Sequence, residues 1–177
     1  LVTMSEKAWG LAAKSTLPKF YFSLTAAKKN LADRQTAYTP AVSLIYALRQ
    51  ALKMMKEEGI ENVWKRHQLL AQACQAGVKA LGLEILSKSP ANGVTAVVAP
   101  AEIDGKTIIK GYKEQGIIVA GGQDHLKNKI FRVAHMGYAG TFDVLTAISA
   151  LEMILAKSTY SFEKGAGIKA AEGVFLG

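Results

Sequence analysis

The chain changes its hydrophobic period near residue 82. From residue 39 to 81 apolar side chains return every third or fourth position, and beyond 82 they gather in short runs separated by single helical patterns. This switch restricts the fold strongly, because a buried helical face needs a repeat near about 3.6 residues and a strand needs a short run. Val42, Ile45, Leu48, Leu52 and Met55 predict one helix, with Pro40 suited to its first turn and Gly59 to its end. Val63, Leu70, Cys74, Val78 and Leu81 predict a second, over about residues 61–81. Residues 83–86, 94–99, 117–120 and 129–134 read as strands. Asp104 can cap a helix running through Tyr112 and ending near Gly116. Thr141 can cap another that buries Val144, Ile148, Leu151 and Leu155. Two helices followed by a β-β-α-β-β-α unit, with its helices on one side, predict an α+β layer.

The flanks are less regular. Residues 1–4 read as a strand end, so a piece of a longer protein is expected, and Ser5 can cap a short helix to about Ala13. Residues 16–39 lack a clean period and read as a long loop with a short helix near 24–30; such loops are usually functional or interfacial. Residues 158–177, rich in Gly, Ala and Lys, are expected at the surface.

Composition removes several functions. The 177 residues are 50% hydrophobic, enough for a buried core, yet no apolar run is long enough for a membrane span. The net charge is +8, but the lysines are spread over helices and loops rather than clustered among aromatics. That pattern predicts a solvated surface with some attraction for anions, and a nucleic-acid role would rest on charge alone. The single cysteine, Cys74, cannot close an internal disulfide and fits a reducing compartment. With no His or acid beside it in sequence, it reads as a small buried hydrophobe rather than a nucleophile. No metal-ligand spacing, GxGxxG or P-loop pattern occurs.

Three stretches stand out, the first of which, "SEKAW" from Ser5, is by itself only a capped helix start. The second, "RQTAYTP" from Arg34 to Pro40, runs straight into the first long helix. Hydroxyls and free N–H groups at a helix N-terminus suit a phosphate, although the commoner role of a threonine in the place of Thr39 is a plain helix cap. The third, "GGQDHLKNKIFRVAHMG", begins at Gly121 and sets Arg132 inside an apolar strand. A guanidinium there either pairs an internal acid or waits for an anionic ligand, which its planar fork can hold by two bonds. His67 reads as structural and His125 as solvated, while His135, three residues beyond Arg132, reads as a supporting hydrogen-bond partner near it.

In their order and spacing these stretches resemble the class V aminotransferases, the branch with serine–pyruvate and alanine–glyoxylate enzymes and the bacterial proteins once called soluble hydrogenase small subunits. The matching pieces are "LVTMSEKAW", "STLPKFYFSL", "QTAYTPAVSLIYALRQAL", "GGQDHLKNKIFRVAHMG" and "LTAISALEMIL". The resemblance implies an α/β fold of the fold type I pyridoxal-phosphate transferases. Residues 1–40 would be the tail end of the large domain with a dimer-interface loop, 41–157 the small α+β domain, and 158–177 a surface tail. It implies pyridoxal 5'-phosphate as cofactor, with Thr36, Tyr38 and Thr39 contacting its phosphate across a homodimer whose sites are shared between subunits. It implies that Arg132 grips the substrate α-carboxylate and that Gly121 and Gly122 turn close to the substrate. The lysine that anchors the cofactor in the family lies upstream of "SEKAW", so no catalytic residue is expected in this chain and Lys7 does not take that role.

The implied activity is cytoplasmic transamination between serine or alanine and a 2-oxo acid such as glyoxylate or pyruvate, with no metal, membrane or nucleic acid involved. Carried by the full-length protein, it would be absent from this piece alone. The competing readings are a non-catalytic α+β interaction domain, and another class V enzyme such as a lyase or a cysteine desulfurase. The last generally needs a cysteine on a mobile loop, and Cys74 falls in a helical pattern.

Overall fold

The computed structural model describes residues 2–177. The chain gathers into two compact units, one running to Met54 and one spanning Met55–Gly177.

In the first unit the capping signals act as their chemistry dictates. Ser5 accepts a hydrogen bond from the Ala8 N–H at 3.3 Å and starts α1 (Glu6–Lys14). Ser23 does the same for Ala26 at 3.2 Å and starts α2 (Leu24–Ala32). Residues 2–4 are not a strand, and Leu1 of the expected strand end lies outside the described residues. A third helix, α3 (Val42–Glu58), runs across the boundary between the units. None of α1, α2 or α3 buries a residue. The α3 stripe has the helical spacing expected of a core face, but Ile45 is 57% exposed. Periodicity identifies the face that would be buried; it does not supply the surface that buries it.

The second unit contains α4 (Ile60–Ala80), β1 (Val94–Val98), α5 (Gly105–Glu114), β2 (Ala120–Gly121), β3 (Ile130–Ala134), α6 (Thr141–Leu155) and α7 (Ala166–Leu176). The three strands form an antiparallel sheet in the order β1-β3-β2. Side chains alternate across it. Thr95, Val97, Phe131 and Val133 are buried, in a core shared with α4, α5 and α6. Val94, Ala96, Val98 and Arg132 take the opposite face and are only half-buried. Tyr112 lies between the layers, its ring centroid 6.2 Å from that of Phe131 and its hydroxyl donating to the Ala147 carbonyl at 2.9 Å. Burying a side chain of that size stabilises by about 1.5–3 kcal/mol when its polar atom is satisfied.

Several expected elements change. Of the strand expected at 83–86, only an isolated bridge from Ile85 to Val97 forms, because Leu83 dips into the core and the polar 87–93 segment turns away. The strand expected at 117–120 shrinks to β2, where Ala120 and Gly121 alone reach register with Arg132 and Phe131. Thr141 is the first residue of α6 rather than its cap, and the Asp143 carboxylate accepts from the Gly140 N–H at 2.7 Å.

The largest difference is at the C-terminal end. Residues 158–177 include α7, which packs along α4 and α6 and buries Gly167 and Ala171. The small residues that suggested a surface tail are what lets two helices approach closely. A Cβ on Gly77 would lie 3.1 Å from the Gly167 carbonyl oxygen and 3.0 Å from the Ile148 side chain.

Candidate functional site

Arg132 is the middle residue of β3, facing Ala96 on β1 and Ala120 on β2. Its Nε donates to the Gly121 carbonyl at 2.9 Å. No carboxylate among the described residues pairs with it, so the internal-acid reading of this arginine finds no partner. A guanidinium steadied by one carbonyl at its Nε, with no acid on it, can offer its Nη donors to an anion.

Gly121 and Gly122 are brought against this arginine through the pairing of β2 with β3. Gly122 permits a close approach. A Cβ there would overlap the Leu126 carbonyl and come 2.8 Å from Ile130 Cγ1. The short 3-10 turn Asp124–Leu126 folds down onto it. Asp124 (φ 47°) and Asn128 (φ 62°) both hold left-handed backbone around that turn, a conformation that Asp and Asn tolerate better than most residues. His125 is exposed within the turn, as its polar surroundings suggested.

Thr36, Tyr38 and Thr39 lie together in the loop that leads into α3. The Thr36 hydroxyl donates to the Tyr38 carbonyl. The Tyr38 ring stacks on Tyr21 at 4.7 Å and meets Phe20 edge-on at 5.7 Å, so its place is set by aromatic packing. Thr39 is exposed and its hydroxyl has no hydrogen-bond partner among the described residues. It does not cap the helix, which begins only at Val42. Ala41, just ahead of Val42, has no side-chain acceptor, so the first-turn N–H groups of α3 also lack a side-chain cap.

His135 is not beside Arg132. Three residues along an extended strand bring a side chain to the opposite face. The imidazole is 1% exposed on the core side, its Nε2 3.0 Å from the Thr95 hydroxyl and its Nδ1 without a hydrogen-bond partner. Burial pushes its pKa below the ordinary 6.5, the Asn92 backbone acting weakly against that and His67 with it. Burial pushes the thiol of Cys74 up to about 11, with Thr95 acting against that shift. A thiol so protonated is no nucleophile at neutral pH, which agrees with its reading as a small core residue. His67 is structural as expected, with Nδ1 2.7 Å from the Val63 carbonyl.

One feature near this region escaped the sequence reading. Arg66 binds both oxygens of Glu58, at 2.6 and 2.9 Å, and donates to the Gly137 and Ala139 carbonyls at 3.1 and 2.8 Å. The hydrogen bond to Arg66 holds the Glu58 carboxyl below the usual carboxylate range. The clamp fastens the loop after β3 to the start of α4. Its members are far apart in sequence and their types are common on surfaces, so no local signal marks them. Among the described residues no group of three or more His, Cys, Asp or Glu side chains could hold a metal, and no helix is long and apolar enough to cross a membrane.

An α+β unit that offers a carbonyl-steadied guanidinium without an internal acid can receive an anion. The chain belongs to the class V aminotransferase family, whose model matches residues 20–141. It is 44% identical to the soluble hydrogenase small subunit of Synechococcus sp. and 36% identical to the serine–glyoxylate aminotransferase of Methylorubrum extorquens. Those matches cover 98% and 97% of this chain but 46% and 45% of the relatives, so the chain spans about half the length of the curated relatives it matches. The solved ureidoglycine–glyoxylate aminotransferase of Bacillus subtilis superposes with a TM-score of 0.89 at 29% identity, over 99% of this chain and 47% of that one. The α/β aminotransferase fold and the family expected from the ordered motifs are therefore borne out.

Proposed function

We propose that the full-length protein is a pyridoxal-phosphate aminotransferase. It moves the amino group of a small amino acid, serine or alanine, to a 2-oxo acid such as glyoxylate or pyruvate. The observation that carries this reading is Arg132, held by the Gly121 carbonyl and without an internal acid, inside a chain of the class V family. Serine–glyoxylate activity in a relative's name and ureidoglycine–glyoxylate activity in that of a solved structure support glyoxylate as the acceptor.

The loop ahead of α3 fits the cofactor's phosphate. Thr39 has an exposed hydroxyl with no partner among the described residues, and the first turn of α3 beyond Val42, whose N–H donates to the Pro40 carbonyl at 2.9 Å, adds N–H donors and the positive end of a helix dipole. Thr36 and Tyr38 complete that contact set in the proposal, Tyr38 being steadied by its ring neighbours. When bound, the cofactor supplies the electron sink for the chemistry at the amino acid's Cα. The residues of this chain bind and orient: the loop threonines hold the phosphate, and Arg132 fixes the carboxylate and with it the direction of the Cα–H bond. No lysine of this chain is proposed to anchor the cofactor, and the chain alone is proposed to be inactive.

Residues 1–40 are proposed to close the large domain and 41–157 to form most of the small one. A homodimer with sites shared between subunits is part of the same proposal, supported by the uncovered apolar stripe of α3. A cytoplasmic setting is supported by the buried, reduced Cys74. The test is amino-group transfer from serine or alanine to glyoxylate by the full-length protein. Formation of glycine with the matching keto acid is expected; absence of transfer from any small amino acid, with cofactor bound, would refute the proposal.

A further inference from the structure

We propose that the corner at Gly121 and Gly122 is a positioning element that presents Arg132 end-on, so that a carboxylate meets its two Nη groups and not its Nε edge. The inference rests on the reading of Arg132 as the carboxylate binder, and it assigns the glycines a mechanical role in place of substrate contact. A guanidinium can offer a carboxylate two edges, one formed by Nε with one Nη and one formed by the two Nη groups. At Arg132 the Nε hydrogen is taken by the Gly121 carbonyl at 2.9 Å. The remaining bidentate edge is the Nη pair. Its cross-strand neighbours are Ala96 and Ala120, whose methyl groups are too short to reach over the guanidinium from either side.

The carbonyl that makes this choice is placed by Gly122. With any side chain at 122, the Leu126 carbonyl and the Ile130 side chain would have to retreat. They have little freedom to do so. Ile130 is buried, the Gly105 N–H bonds the Asn128 carbonyl at 2.8 Å, and Asp124 and Asn128 already hold left-handed backbone. The strain of a Cβ at 122 is therefore relieved by lifting the end of β2, and the Gly121 carbonyl moves with it. Arg132 then loses its steering contact while its charge and its place in β3 remain.

The test uses the full-length protein with its cofactor bound. Gly122→Ala is expected to raise KM for the amino acid about 10- to 100-fold, with kcat at saturation and cofactor retention little changed. A fold-wide defect would instead lower kcat and cofactor retention together. A second measurement needs no variant at position 122. In protein labelled with 15N at arginine Nε, the Arg132 signal, identified by its loss in Arg132→Lys, is expected to exchange slowly with water before substrate is added. Rapid exchange of that proton, or a folded Gly122→Ala protein with unchanged KM, would overturn the positioning role. An Arg132→Ala protein with unchanged amino-acid KM would instead remove Arg132 from the site, whatever the glycine variant does.

Discussion

Replacing Glu152 by alanine should loosen the last helix and nothing else. The Glu152 carboxylate accepts from the N–H groups of Gly165 at 2.7 Å, Gly167 at 3.0 Å and Ile168 at 3.2 Å. These are the cap and first turn of α7, where Gly165 has no side chain of its own to satisfy them. Charge-assisted hydrogen bonds contribute about 1.5–3 kcal/mol when shielded. Gly165 is exposed, so water replaces the lost acceptor there, while Gly167 is buried and Ile168 half-buried. Counting those two, and discounting for partial exposure, Glu152→Ala should cost α7 about 2–4 kcal/mol. Glu152→Gln, which keeps one carbonyl acceptor and loses the charge, should cost roughly half as much. Amide hydrogen exchange read peptide by peptide in the full-length protein is the suitable assay, since a protein of several units need not unfold in one step. Faster exchange over residues 166–176, graded from alanine to glutamine, is expected. Unchanged protection there in the alanine variant would refute the reasoning.

Three further outcomes follow from the same structure. Because burial depresses the His135 pKa, the unfolded chain takes up a proton below about pH 6.5 while the folded one resists. This contribution to stability is therefore complete above that pH and declines as pH falls toward the lower folded value, by at most about 1.4 kcal/mol per pH unit. Denaturant midpoints of wild type and His135→Asn measured from about pH 7 to about pH 5 should diverge in slope; parallel curves would contradict it. The Cys74 thiol, fully buried and pushed up to about 11, should react with iodoacetamide only as fast as the protein opens, and rapid labelling of the native protein would show otherwise. Thr39→Val should weaken cofactor retention by about 1 kcal/mol or more, and equal retention would remove Thr39 from the phosphate contacts.

Much of the second unit could be read from residue order, because its signals are local. Asp104 caps α5 by accepting from the Thr107 N–H at 2.7 Å, and the stripe from Val63 to Leu81 is buried as its spacing predicts. What failed depends on partners distant in sequence. Whether residues 83–86 become a strand is decided by the reach of β1, and whether a Gly/Ala-rich tail packs is decided by the Gly77 surface of α4. The α3 stripe shows the converse, a correct helix whose apolar face is exposed. At the site, Arg132 was visible as a charge among apolar neighbours, and its acid-free setting needed coordinates. The wrong neighbour was His135, placed near Arg132 by counting residues, although the alternation of a strand puts the two on opposite faces.

The most direct trial of Arg132 is an equilibrium titration of the full-length, cofactor-bound protein with serine, in wild type and Arg132→Ala. Loss of two charge-assisted bonds should weaken amino-acid binding by about 2–4 kcal/mol, roughly 30- to 1,000-fold, with the cofactor still bound. Equal affinity for serine in the two proteins would show that this guanidinium does not hold the substrate.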